Sequence, residues 1–210
     1  MIPKRILEAH YAEYAAQPDA WVKNMEVTKR SIVEQVFRSV PFNGGEGTNG
    51  AELVRVAVLG ASDRRYLPIH ERIFAGLLEQ PVQVSTLDID RTHLAGYERV
   101  IEHDVTQPFP NQPYDIIFSH ELAKFLSPEE QVMMMRNAYA ALGDDGMAMH
   151  IVHEPSIKGT SELRDWQYRV NPDHLLEQLL AEMIKGRKLS FDSTSHIDWL
   201  RKTTVLVTQK

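Results

Sequence analysis

Beyond Leu53 the sequence alternates between strand and helix patterns, and this alternation constrains the fold more than any other feature. LVRVAVLG (53–60), VQVSTLDI (82–89), RVIEHDV (99–105), YDIIFSH (114–120) and MAMHIVHE (147–154) are short aliphatic runs of the kind buried strands need. Helical segments lie between them. PIHERIFAGLLEQ opens at Pro68, and Asp90 can cap a short helix through THLAGYE. SPEEQVMMMRNAYAALGDDG carries a capping box in Ser127 and Glu130 and is expected to end at Gly143 or Gly146. NPDHLLEQLLAEMIKG repeats the grammar, with Asn171 as cap, Pro172 first and Gly186 last. KLSFDSTSH and KTTVLVTQ then come on a connection too short for a crossover helix, so they pair antiparallel.

These patterns imply an α/β fold: a Rossmann-like, mostly parallel seven-stranded sheet with a terminal antiparallel strand and helices on both faces. An N-terminal helical segment precedes it. Trp21, Met25, Ile32, Val33, Val36, Phe37 and Val40 mark that segment, residues 1–40, at roughly helical spacing. PFNGGEGTNG comes next, and its glycines and proline mark a linker over 41–52. The expected division is therefore a helical lid at 1–40, the linker, and an α/β domain at 53–210. On that division, removing 1–40 leaves a folded core.

A chain of 210 residues is large enough to bury a core without a staple. It contains no cysteine, which excludes disulfides, thiol nucleophiles and cysteine-ligated zinc. No signal-peptide core or membrane-length apolar run is evident, so a cytoplasmic protein with no membrane partner is expected. The net charge of −6 argues against a nucleic-acid partner.

Open α/β sheets bind ligands beyond the carboxyl ends of their strands, so the residues after each strand are the candidates. Gly60, Ala61 and Ser62 lie just past the first strand. Small residues let the backbone approach a ligand closely. Asp88 ends the second strand, where an acid can accept both hydroxyls of a ribose, while Asp90 caps the short helix after it. After the third strand, the Asp104 carboxylate can accept from an exocyclic amine such as that of adenine. The Val105 N–H can donate to a ring nitrogen.

VAVLG, LDID, EHDVTQPFP, YDIIFSHEL and AALGDDGMAMHIVHE, in that order, resemble the successive motifs of the class I S-adenosylmethionine-dependent methyltransferases. The resemblance spans 53–210. It departs from the family in its first motif, where Ala57 stands in place of the leading acid and Gly60 alone remains of the glycines. LGDDG is likewise a degraded form of the family's L-x-P-G-G turn. The resemblance implies S-adenosyl-L-methionine as cofactor. Gly60, Ala61 and Ser62 would face its methionine and ribose, Asp88 would hold the diol, Ile89 would pack on adenine, and Asp104 and Val105 would address the adenine edge. Ser119, His120 and Glu121 would lie beneath the sulfonium, and Arg64 or Arg65 would pair the cofactor carboxylate in place of missing glycine amides. Tyr11, Tyr14 and Trp21 would help cover cofactor and substrate.

The expected activity is methyl transfer to an oxygen or nitrogen of a small or mid-sized acceptor. His120, Glu121, His153 and Glu154 are the candidate bases. The alternative is a catalytically inactive methyltransferase fold that serves as a binding or partner protein. A short-chain dehydrogenase would carry Tyr-x-x-x-Lys, and no tyrosine here has a lysine four residues on. A metal pair is not expected either, because His150 and His153 point to opposite faces of a strand.

Overall fold

A computed structural model describes residues 3–42, 53–153, 166–192 and 202–210. Its strands are β1 (Val54–Leu59), β2 (Val82–Asp88), β3 (Val100–Glu102), β4 (Tyr114–His120), β5 (Leu142–His153), β6 (Gly186–Asp192) and β7 (Lys202–Gln209). They form one sheet in the order β3-β2-β1-β4-β5-β7-β6. β1 to β5 run parallel, and β7 lies antiparallel between β5 and β6. The order reverses between β1 and β4, which places the ligand-binding crevice of such a sheet at their carboxyl ends.

The helices are α1 (Lys4–Ala15), α2 (Asp19–Ser39), α3 (Tyr66–Leu78), α4 (Pro128–Ala141) and α5 (Pro172–Ala181). Alternation along the strands sorts the core onto two faces. Val56, Val58, Ile116, Phe118 and Met149 meet α2 and α3 on one face. Ala57, Leu59, Ile117, Ala148 and Leu206 meet α4 and α5 on the other. The expected architecture is the one observed, including the antiparallel β7.

Local caps decide several helix starts. The Ser127 side chain accepts from the Glu130 N–H while Glu130 accepts from the Ser127 N–H, so the capping box at α4 forms. Asn171 accepts from the His174 N–H, with Pro172 in the first helical position of α5. Three expected boundaries move. α3 begins at Tyr66, two residues before Pro68, which sits in its first turn. α5 ends at Ala181, and Gly186 opens β6 instead. α4 ends at Ala141, before either glycine expected to stop it. LGDDG belongs to β5 as a bulge: the β4 register steps from Tyr114↔Leu142 to Ile116↔Met147. A Cβ on Gly146 would come within 2.9 Å of the Gly143 carbonyl oxygen, so the bulge needs glycine there.

The larger correction concerns residues 1–40. The described part, 3–40, forms two helices, and α2 is part of the core. Val22, Met25, Ile32, Val33, Val36 and the adjoining Val40 pack in one cluster with Val56, Ile73 and Phe118. The apolar stripe is the inner surface of a core helix, while α1 buries only Ile6 and His10. Phe42 packs beyond α2 against Phe37, with ring centres 5.9 Å apart. The rest of the expected linker, 43–52, lies outside the described residues.

Buried histidines predict a pH dependence. Burial pushes His150 from 6.5 down to about 4. Burial, with the nearby Lys124 charge second, pushes His10 down to about 3. Burial also sets His70 well below 6.5. Below pH 6.5 the unfolded chain binds protons that the folded chain refuses. Stability therefore falls on acidification, by about 1.4 kcal/mol per pH unit for each histidine. The window reaches down to about pH 4 for His150. Urea midpoints measured from pH 7 to pH 5 should drop steadily, and His150→Gln should flatten the slope by about one proton.

Candidate functional site

A cleft of about 920 Å³ opens at the carboxyl ends of β1 to β4. Gly60, Ala61, Ser62, Asp88, Ile89, Asp104, Val105 and His120 line it, so most residues expected from the strand ends converge there. Leu7, His10 and Tyr11 of α1 form its opposite wall.

Each strand end delivers its residue by a local device. Gly60 turns sharply at φ 74°, and a Cβ there would press within 3.3 Å of Leu122. The turn is tied to β2, because the Ala61 N–H donates to Asp88 Oδ2 at 2.8 Å. Asp88 Oδ1 accepts from the Asp90 N–H at 3.1 Å and from the Tyr11 hydroxyl at 3.3 Å. Burial raises the Asp88 pKa, against the pull of these donors and of His93. Asp90 accepts from both the N–H and hydroxyl of Thr92 in a local turn, and the expected helix through THLAGYE shrinks to a 3-10 turn, Thr92–Leu94, whose first flanking residue is Arg91 rather than Asp90. Ile89 remains 41% exposed at the cleft rim. Asp104 Oδ1 accepts from the Thr106 N–H at 2.9 Å and its hydroxyl at 2.8 Å.

Other expected residues go elsewhere. Ser119 shares the α4-side face of β4 with Ile117 and hydrogen-bonds His150 Nδ1 at 2.9 Å. Both are fully buried, so Ser119 does not line the cleft. Arg65 does not face it either. Its guanidinium grips Asp63 at 2.7 Å and donates to the Tyr14 and Gln17 carbonyls, each at 2.8 Å, and to Asp19 at 2.9 Å. It thus satisfies carbonyls at the end of α1 and fastens the β1 turn to both N-terminal helices. Arg64 is exposed. The Asp63-Arg64-Arg65 stretch is a structural clasp where the family pattern would have glycine.

Glu121 lines a second, smaller cavity joined to the cleft and holds Lys124 at 2.5 Å. Its backbone is left-handed, φ 59°, an unfavourable state for a non-glycine residue and one common at functional sites. His120 borders both cavities. His153 is the last residue of β5, and Glu154 lies outside the described residues.

Sequence reasoning does not single out Leu7, His10, His93 or Phe125. Tyr11 stacks on His93 with centroids 3.6 Å apart, and His10 reaches Ser62 Oγ at 2.8 Å. His93 also meets the Ala61 carbonyl at 2.6 Å. Tyr14 lines the second cavity, while Trp21 packs edge-on against Tyr14. Among the described residues no group of three acidic or histidine side chains can hold a metal ion, and no helix is long and apolar enough to cross a membrane.

No family model matches the chain, and no curated protein matches it in sequence. Solved structures do match. A 1,6-didemethyltoxoflavin-N1-methyltransferase from Burkholderia thailandensis covers 100% of this chain and 91% of its own, with TM-score 0.59 and 14% identity. A SAM-dependent methyltransferase from Archaeoglobus fulgidus covers 86% and 94%, with TM-score 0.58 and 12% identity. The N-methyltransferase NodS from Bradyrhizobium japonicum covers 97% and 96%, with TM-score 0.57 and 11% identity. With the strand order and the position of the cleft, these likenesses settle the architecture: the fold is that of the class I S-adenosylmethionine-dependent methyltransferases.

Proposed function

We propose that this chain binds S-adenosyl-L-methionine in the cleft and transfers its methyl group to an oxygen or nitrogen of a small acceptor. The observation that carries the reading is the convergence of Asp88 and Asp104 with the Gly60 turn around one cleft. Two carboxylates on successive strand ends suit a nucleoside, one for the ribose diol and one for the adenine amine. Ile89 would cover the adenine, and the methionine portion would pass Gly60–Ser62. The structural neighbours include enzymes crystallised with S-adenosylhomocysteine.

Methyl transfer from a sulfonium is an in-line displacement, and the cofactor supplies the electrophilic methyl group. This chain's contribution would be to hold the acceptor in line and exclude water. His120 and Glu121, at the end of β4, would orient the acceptor or take its proton. α1 would be the lid. It closes the cleft through Leu7, His10 and Tyr11, and its Tyr11 hydroxyl would yield Asp88 to the ribose on binding.

The test is transfer of a labelled methyl group from S-adenosylmethionine to a library of small phenols, amines and acids. At least one acceptor should become labelled, and His120→Ala should lower that rate by about 100-fold or more. Cofactor binding with no labelled acceptor in any class would favour the inactive binding protein.

A further inference from the structure

The second cavity, about 450 Å³, adjoins Gly60–Ser62 on the side away from Asp88 and is walled by α2 and α3. At its base lies Lys29, which is 5% exposed and sits within the apolar stripe of α2 between Met25 and Val33. Its Nζ is 3.0 Å from His70 Nε2 and 4.2 Å from the centre of the Tyr66 ring. No ion pair to Lys29 forms among the described residues. Glu121, whose charge acts on Lys29 from a distance, is in contact with Lys124. The Tyr66 hydroxyl and His70 Nδ1 are buried without hydrogen-bond partners. An ammonium with no ion-pair partner among the described residues, a phenol and an imidazole thus line one small cavity. Leaving such groups unmatched is costly, and an entering anion relieves it. Burial lowers the Lys29 pKa to about 7.

We propose that Lys29, His70 and Tyr66 form a carboxylate-binding site that opens onto the cleft. Lys29 supplies the charge, the Tyr66 hydroxyl donates a hydrogen bond, and His70 orients the ammonium. Two carboxylates can reach it: that of a small organic acid serving as acceptor, or that of the amino-acid tail of the cofactor. The second source rests on the function proposed above; the anion chemistry of the cavity does not.

The test is calorimetric titration of the full chain and of Lys29→Met with three probes. These are S-adenosylhomocysteine, methylthioadenosine (the same nucleoside and sulfur without the carboxylate) and benzoate. If the cofactor tail is the occupant, Lys29→Met weakens S-adenosylhomocysteine by about 10- to 100-fold and leaves methylthioadenosine within about twofold. If an organic acid is the occupant, benzoate binding is lost and both nucleosides are unchanged. If the wild-type chain ignores both nucleosides but binds benzoate through Lys29, the cofactor reading fails and the carboxylate site stands. The site is overturned if Lys29→Met binds all three probes as the wild type does, or if the wild type binds none. Should Lys29→Met fail to fold, Tyr66→Phe replaces it. That variant keeps the ring beneath Lys29, removes only the hydroxyl, and is expected to weaken the same carboxylate probe by about 3- to 10-fold. An unchanged affinity overturns the proposal.

Discussion

Removing residues 1–40 should leave a chain with no cooperative unfolding transition, whereas removing only 1–18 should leave a folded one. The difference is α2. Val22, Met25, Ile32, Val33, Val36 and Val40 are buried against the β1–β4 face of the sheet. At about 1.5–3 kcal/mol each, these side chains account for about 9–18 kcal/mol, as much as the whole stability of an ordinary domain. α1 contributes much less to the core, through Ile6 and His10, and the Arg65 clasp loses its carbonyl partners at Tyr14 and Gln17. The shorter truncation should therefore cost about 2–5 kcal/mol and open the cleft. Urea melts followed by circular dichroism separate the two cases. A cooperative transition in the 41–210 fragment would mean that the β1–β4 face is stable without α2, against the packing described.

The Asp88→Ala variant should lose cofactor affinity by about 10- to 100-fold, because two hydrogen bonds from the ribose diol to a carboxylate disappear. It should also destabilise the empty protein by about 1–3 kcal/mol, since the buried Ala61 N–H loses its acceptor. Asp90→Ala provides the contrast. Asp90 holds only the Thr92 N–H and hydroxyl at the surface, so its loss should cost about 1 kcal/mol and leave affinity within about twofold. Calorimetry on both variants, paired with melts, resolves the four numbers. Equal affinities in Asp88→Ala and the wild type would remove the ribose from Asp88.

The sequence discloses the features that are decided locally. Strand and helix order, the Ser127 and Asn171 caps and the antiparallel end of the sheet all arise from short-range patterns, and the structure has them. Strand ends were legible because a parallel sheet gathers its carboxyl termini, which is why Asp88, Asp104 and Gly60 meet. Features that depend on long-range packing were not legible. The stripe on α2 shows that one face is apolar but not which surface it covers, and the glycines at 44–50 suggested a detachable lid. Arg65 reads as a free cation until the carbonyls of Tyr14 and Gln17, far upstream, are seen to surround it. One signal was nonetheless present. Lys29 stands in an apolar helical stripe, where a charged residue is an anomaly.

The most direct test of the central claim is a calorimetric titration of the wild-type protein with S-adenosylhomocysteine, with NAD as the control. The account predicts saturable one-to-one binding at or below millimolar concentration, no heat from NAD, and about 2.7 kcal/mol of added stability at 100 times the dissociation constant. Absence of heat with S-adenosylhomocysteine at several millimolar, or preferential binding of NAD, would contradict it.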